Sequence, residues 1–318
     1  MYNFIYNKTT VTEFLLLGFS NFSTGRHYLF MVILIVYVVT ISTNLFIIAI
    51  VRIERRLHKP MYFFIGGLSF LELWYPTVTV PRLLWALLMK KQAISPAGCI
   101  TQFYFHFSFG VAENFLLAIM AVDRYIAICR PLRYPLIMNI NTCIKLLLGS
   151  WFLGFVTVLV PCLQVSNLSF CSKNEIDHYY CDFAPLIRLS CSDTSEVQMV
   201  FFIFACFIIF GCFLVISLSY ISIIQTIMFS ITSRRRKVFS TCASHLIVVV
   251  LFYGTTTFMF IRPTAGDLVH LNKIISIIPS IVTPLLNPII YTLRNQEVKE
   301  AVMKVVQKCH NEKFSIGR

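Results

Sequence analysis

Polar and charged positions along the chain leave seven apolar stretches, at about residues 27–51, 60–80, 99–123, 143–163, 198–228, 238–261 and 272–292. Each reaches the roughly 20 residues that a helix needs to cross the hydrocarbon core of a bilayer. The fifth, Gln198 to Met228, is long enough to project past the membrane or to tilt within it. No stretch alternates with the ten-residue pattern of a transmembrane barrel, and no internal repeat of the transporter kind is visible. The pattern predicts an all-α membrane protein built as a seven-transmembrane helix bundle. A tail over 1–26 precedes it, a long loop over 164–197 interrupts it, and a second tail over 293–318 follows.

Composition sharpens this. Hydrophobic residues make up 57% of the 318 positions and charged residues 13%, with a mean hydropathy of +0.76. A soluble domain carries about 25% charged residues, so two water-facing domains and a disordered chain are both excluded.

The net charge of +13 would suggest nucleic acid if it were spread over a surface, but its placement gives another reading. Counting loops alternately, the side opposite the amino terminus holds Arg52, Arg55, Arg56, Lys59, Arg124, Arg130, Arg133, Lys145 and Arg234 to Lys237. It also holds six basic tail residues, from Arg294 to Arg318, so the whole +13 falls on this side. Lysine and arginine concentrate in cytoplasmic loops. The amino terminus is therefore expected outside, the carboxy terminus inside, and no nucleic-acid partner. Residues 1–26 contain no apolar signal core, so the first span is expected to direct insertion. Asn7-Lys8-Thr9 is a glycosylation acceptor sequence on the outer tail. Asn21-Phe22-Ser23 and Asn167-Leu168-Ser169 also match it.

Of eleven cysteines, Cys99, Cys171, Cys181 and Cys191 fall on the outer side, where disulfides form. Four cysteines allow three pairings, and spacing alone chooses none. The others read as small apolar packing residues. 

Ionisable groups inside the spans cost at least about 2.5–3.5 kcal/mol each and mark function by default. Glu72 and Glu113 both fall near mid-depth. At one level they repel unless one is protonated or a cation lies between them. Asn114 and Asn287 are placed to add oxygen ligands for a hard, sodium-like cation. His106 and Gly110 precede Glu113 on roughly the same face, and His245 lies near the cytoplasmic end of the sixth span. At the end of the third, Asp123-Arg124-Tyr125 sets an arginine at the boundary. It can pair with its neighbour or reach across to another helix, which is the two-state element a switch needs.

The run Met120-Ala121-Val122-Asp123-Arg124-Tyr125-Ile126-Ala127-Ile128-Cys129 through Arg130-Pro131-Leu132-Arg133-Tyr134 resembles the third-helix signature of odorant receptors. Lys237-Val238-Phe239-Ser240-Thr241-Cys242-Ala243-Ser244-His245-Leu246 is similar to their sixth-helix signature, and Pro284-Leu285-Leu286-Asn287-Pro288-Ile289-Ile290-Tyr291 to their seventh. Pro60-Met61-Tyr62-Phe63-Phe64 matches the opening of their second helix. Together these resemble the tetrapod (class II) branch of the rhodopsin-like receptors over nearly the whole chain. Val122, Val238 and Glu72 depart from the commonest residues of that pattern.

The resemblance implies disulfides Cys99–Cys181 and Cys171–Cys191, and no catalytic residues. It implies that Arg124 engages a G protein while Asp123 restrains it at rest. It also implies that Tyr291, in the segment with Asn287 and Pro288, swings inward on activation. Tyr253 stands where most rhodopsin-like receptors have tryptophan. The partner it implies is the stimulatory olfactory-type G protein, which raises cyclic AMP, at the plasma membrane and in olfactory cilia.

A ligand pocket in such a bundle needs apolar walls with few polar groups. Depth and face point to His106, Phe107, Gly110 and Val111 in the third span, and to Phe204 and Phe207 in the fifth. Tyr253, Thr256, Thr257 and Phe260 in the sixth and Ile277 and Ser280 in the seventh complete the set. Few charges suit a small, mostly apolar volatile, and no cofactor is expected beyond a structural sodium ion at Glu72 and Glu113. After Tyr291, Val298, Ala301, Val302, Val305 and Val306 recur at helical spacing among lysines, as in an amphipathic helix on the membrane face. Cys309 beside it is a palmitoylation candidate. No catalytic constellation appears. The alternatives are a chemosensor for a metabolite outside olfactory tissue and, on the two glutamates, an ion-conducting protein.

Overall fold

The computed structural model describes residues 11–19, 25–89, 92–171, 174–228, 232–261, 269–294 and 297–304; within them the side chains of 232–241, 244, 260–261, 269–270 and 293–294 are not described. The expected seven-helix bundle is present. Its helices are α1 (Arg26–Ile53), α2 (Pro60–Met89), α3 (Pro96–Cys129), α4 (Ile140–Ser166), α5 (Ser195–Met228) and α6 (Thr232–Ile261). The seventh, α7, is made of Val269–Ile275, a π-helical turn over Ile278–Val282 and Thr283–Arg294. Among the described residues six spans are long and apolar enough to cross a membrane, and α6 contributes the shorter apolar stretch His245–Met259. A last helical stretch, α8 over 297–304, buries Val298 and Ala301 and exposes Lys299, Glu300 and Lys304.

Most helices outrun their apolar stretches. α2 continues to Met89 through Pro76 and Pro81, and α3 runs over 34 residues, about 50 Å at 1.5 Å per residue. Ser95 caps the start of α3 by accepting from Gly98 N–H at 3.1 Å. Asn139 does the same for α4 through Thr142 N–H at 3.0 Å. Both satisfy backbone donors that a helix start leaves open.

α3 is the central element, burying Cys99, Phe103, Ala112, Leu116, Leu117 and Ala121 along its length. α4 crosses it at Gly154, where a Cβ would stand 2.8 Å from Ala112 Cβ and from the Ser108 carbonyl oxygen. Only a residue without a side chain permits that approach. α5 exposes large apolar side chains such as Phe202, Phe210, Leu214 and Leu218. That outward apolar face is what a helix bordering lipid presents.

One end of the bundle carries an unexpected cap. Residues 14–16 are not a free tail: they form β1 (Phe14–Leu16), the central strand of a three-stranded sheet. It pairs antiparallel with β2 (Gln92–Ile94) and parallel with β3 (Glu175–Ile176). Phe14, Leu16, Ile94 and Ile176 bury one face against Cys99, Phe103 and Val165. Disulfides Cys99–Cys181 and Cys171–Cys191, with Cα separations of 5.5 and 6.0 Å, hold the long loop at this end. The opposite end holds Arg52, Arg130, Arg133 and Lys145.

Candidate ligand cavity and switch

The Cys99–Cys181 bridge pulls the long loop across the disulfide end of α3, and beneath it lies a cavity of about 560 Å³. Sites for drug-sized ligands span about 300–1,000 Å³. Its wall is made by α3 (His106, Phe107, Gly110, Val111, Asn114), α5 (Phe204, Ile208), α6 (Phe252, Thr256) and the loop (Tyr180, Asp182, Phe183). Six of the twelve residues assigned to the pocket from sequence line it: His106, Phe107, Gly110, Val111, Phe204 and Thr256. A Cβ at Gly110 would come no closer than 3.5 Å to Tyr75 Oη, so this glycine leaves open space instead of relieving a clash.

Five others stand elsewhere. Phe207 is 79% exposed and borders a separate apolar crevice between α3, α4 and α5. α5 is apolar all round, so no periodicity distinguishes the side three residues on from Phe204. Tyr253 lies buried beneath the cavity and donates to the Asn114 carbonyl oxygen at 3.4 Å. Thr257 is half-buried and outside the wall. Ile277 packs in the cluster of Val80, Leu83 and Tyr179. Ser280 is buried, its Oγ 2.7 Å from Tyr179 Oη. The Phe260 side chain lies outside the described residues, as do Asn7 and Cys309.

Wall residues missed from sequence include Tyr75 on α2, Thr157 and Pro161 on α4, and Tyr180, Asp182 and Phe183 in the loop. The loop residues had a signal in their adjacency to Cys181. Behind them runs a polar seam. Ser276 Oγ lies 3.1 Å from Tyr179 Oη and 3.4 Å from His178 Nε2. The buried Lys273 Nζ pairs with Asp177 at 2.7 Å and stands 5.2 Å over the Phe19 ring. Burial, with the charges of Lys273 and His106 nearby, pushes His178 well below the usual histidine range. Burial raises the Asp182 carboxyl to about 6, against the lowering effect of the Phe183 N–H and the Tyr180 hydroxyl.

Midway along the bundle the two glutamates are fully buried, and Glu113 is close enough to act on Glu72 electrostatically. Asn287 donates to Glu72 Oε1. Glu72 Oε2, both Glu113 oxygens, Asn44 Oδ1, Thr283 Oγ1 and Asn287 Oδ1 are buried oxygens without a hydrogen-bond partner. Asn114, expected with this group, instead faces the cavity. Asn114 stands four residues on from Gly110, one turn along the cavity wall, and Glu113 is not part of that wall. Among the described residues no three His, Cys, Asp or Glu side chains gather into a metal centre.

At the basic end the switch residues differ from expectation in one pairing. Asp123 Oδ1 accepts from Tyr134 Oη at 2.9 Å; Arg124 acts on it through its charge, but among the described residues the two make no ion-pair contact. Arg124 is buried and close enough to Tyr220, His245 and Tyr291 to act on each. Tyr220 Oη lies 2.8 Å from His245 Nδ1, and Tyr291 Oη is buried without a hydrogen-bond partner. Tyr125 packs under the Arg130 guanidinium at 5.9 Å, and Pro288 sits inside the last piece of α7.

A covered apolar cavity at one end of seven helices and an arginine-centred polar cluster at the other define the architecture of a rhodopsin-like receptor. The family model for olfactory receptors matches residues 33–309. The chain is 47% identical to human olfactory receptor 6F1 over 299 residues, covering 94% of this chain and 97% of that protein. It is 48% identical to human olfactory receptor 6B1, covering 94% and 96%, and 42% identical to rat olfactory receptor 226, covering 97% and 96%. The chain belongs to the olfactory receptor family, whose members are multi-pass membrane receptors coupled to G proteins and not enzymes.

Proposed function

We propose that this receptor binds a small, mostly apolar volatile in the cavity under the long loop. We propose further that it activates the stimulatory olfactory-type G protein, raising cyclic AMP. The observation that carries the reading is the cavity itself, walled mainly by aromatic and aliphatic side chains from α3, α5 and α6. A neutral guest there gains about 25 cal/mol per Å² of apolar area removed from water. Little area is available on a volatile, so affinity is micromolar in scale, equivalent to about 8 kcal/mol.

Binding reaches the basic end through α6. Phe252 lines the cavity and Tyr253 bonds the α3 backbone just below it, so a guest that shifts this pair biases α6. Arg124, Tyr220 and Tyr291 then provide the seat for the G protein, and Asp123, Tyr125, Asn287 and Pro288 shape it.

The two glutamates fit a structural sodium ion held by Glu72 and Glu113 with Asn287. Their unpartnered buried oxygens are the hard donors such an ion takes. The ion supplies positive charge that lets both carboxylates ionise together, and a shared proton is the alternative. In the membrane the disulfide end faces outward with Asn7 glycosylated, and the basic end faces the cytoplasm. This matches the oxidising requirement of the two disulfides and the placement of lysine and arginine. The working location is the plasma membrane of olfactory cilia.

The test is nucleotide exchange by purified olfactory-type stimulatory G protein with the receptor in vesicles, across a panel of volatiles. Volatile-dependent exchange without ion flux is expected. Ion flux without any G protein, and no exchange, would overturn the reading.

A further inference from the structure

Tyr75 reaches the cavity wall from α2, and it is the one described residue of that helix to do so. It is 5% exposed and packs with Leu71, Phe109 and Ala112, with the His106 ring centred 5.0 Å from its own. A buried tyrosine hydroxyl ordinarily has a hydrogen-bond partner. Among the described residues the Tyr75 hydroxyl has none. Nor is it sealed in, as Asn114 Oδ1, Asn272 Oδ1 and His106 Nδ1 are. The surface it keeps belongs to the cavity that Tyr75 lines.

Gly110 leaves that hydroxyl uncovered. A Cβ built at 110 would have Tyr75 Oη as its nearest neighbour, at 3.5 Å, so a long side chain there would lie over it. The other hydroxyl protons of the wall are committed. Thr256 Oγ1 donates to the Phe252 carbonyl at 2.7 Å, and Thr157 Oγ1 to the Leu153 carbonyl at 2.6 Å. The Tyr180 hydroxyl holds the Asp182 carboxyl. Amides of Asn114, Gln198 and Asn272 also line the wall. A phenol differs from an amide N–H in giving and accepting a hydrogen bond at one atom.

We infer that the Tyr75 hydroxyl is the polar anchor of the cavity, and that its guest is a volatile carrying an oxygen atom, bonded beside Gly110 where α2 meets α3. This rests on the cavity being the volatile's site. Either sense of the bond serves. The phenol donates to a carbonyl or ether oxygen and accepts from an alcohol, so it selects oxygenated guests over hydrocarbons without choosing among oxygen functions. The remainder of the guest packs on Phe107, Phe204 and Phe252. A hydrocarbon of the same skeleton leaves the phenol unpaired, and an unpaired polar group is how a site rejects a near-isostere. Removing the hydroxyl costs the empty receptor no internal hydrogen bond, so its loss is felt only with a guest present.

The experiment compares wild type, Tyr75→Phe and Asn272→Ala on matched alcohol, ketone, ether and hydrocarbon sets with straight-chain, terpenoid and phenyl skeletons. Half-maximal concentrations are read as cyclic AMP with surface level alongside, and thermal midpoints in detergent with and without guest. In wild type the oxygenated members should be about tenfold or more stronger than their hydrocarbon. Tyr75→Phe should bring them down to the hydrocarbon's level, and Asn272→Ala should keep the preference. Without guest the Tyr75→Phe midpoint should match wild type, and its rise with an oxygenated guest should shrink. A preference that survives Tyr75→Phe, or is lost equally in Asn272→Ala, overturns the inference and leaves the receptor reading standing. So do hydrocarbons as strong as oxygenated guests in wild type, and a guest-free Tyr75→Phe midpoint below wild type, which would make the hydroxyl structural. A panel in which no volatile activates wild type overturns the receptor reading itself.

Discussion

Tyr134 donates its hydroxyl proton to Asp123 at 2.9 Å, so the carboxylate beside Arg124 is held by the loop after α3. The guanidinium is thereby left to the polar side chains of α5, α6 and α7, near Tyr220, His245 and Tyr291. An arginine with two alternative partners of similar worth is a bistable element, and Tyr134 weights it toward the interior.

Tyr134→Phe removes that bond and returns Asp123 to its neighbour. A hydrogen bond to a charged group contributes about 1.5–3 kcal/mol. Basal nucleotide exchange should fall by about tenfold or more with surface level unchanged. Assay of agonist-free exchange checks this, and an unchanged or raised basal rate contradicts it.

Gly154→Ala tests the α3–α4 crossing. The added methyl would stand 2.8 Å from the Ser108 carbonyl oxygen and from Ala112 Cβ, both on rigid helix. Forced overpacking of this kind costs about 1–3 kcal/mol. Thermal unfolding in detergent should show a lower midpoint. Gly211→Ala, where nothing lies within 4 Å of the built Cβ, should leave it unmoved.

Two residues of the long loop titrate in opposite senses. His178 is pushed below its ordinary value by burial, with Lys273 and His106 adding to it. Its contribution to stability is complete above about 6.5 and is lost as pH falls below that. Asp182 is raised to about 6, so its contribution is complete below about 3.9 and lost as pH rises through about 6. Acidification from about pH 7.5 to 5.5 therefore weakens the loop through His178 and strengthens it through Asp182. His178→Gln should gain thermal stability over that range, and Asp182→Asn should lose more than wild type. Superimposable pH profiles for the three proteins would refute both assignments.

Lys273 and Asp177 join α7 to the loop, with the cation buried and the carboxylate partly exposed. Asp177→Asn leaves a buried ammonium without its counter-charge, which costs more than the pair itself contributes. Lys273→Met removes the charge along with the need for it. The single Asp177→Asn variant should be less stable than the Asp177→Asn, Lys273→Met double variant in a thermal melt. The reverse order would show that Lys273 is stabilised by something other than Asp177.

The helices were legible because lipid imposes long apolar runs that soluble packing does not, and motif order gave the family. Faces were less legible. Along α3 the mixture of His106, Gly110 and Asn114 with apolar neighbours carries a helical period, and four of the assigned positions line the cavity. Along α5 every face is apolar, since one turns outward and the other lines the cavity, so nothing in the pattern separates Phe207 from Phe204. Contacts made by chain crossing were invisible. The strand Phe14–Leu16 becomes a strand only because 92–94 and 175–176 come to it. Tyr134 was within the quoted signature, yet nothing in spacing brings its hydroxyl back to Asp123.

A guest in the cavity under the loop is expected to drive the basic end. Gly110 tests it most directly, because a side chain there enters open space beside Tyr75. Dose–response curves for a volatile agonist, read as cyclic AMP in cells with surface level measured alongside, should be nearly unchanged in Gly110→Ala and abolished in Gly110→Leu. Wild-type responses from Gly110→Leu at equal surface level would contradict the account.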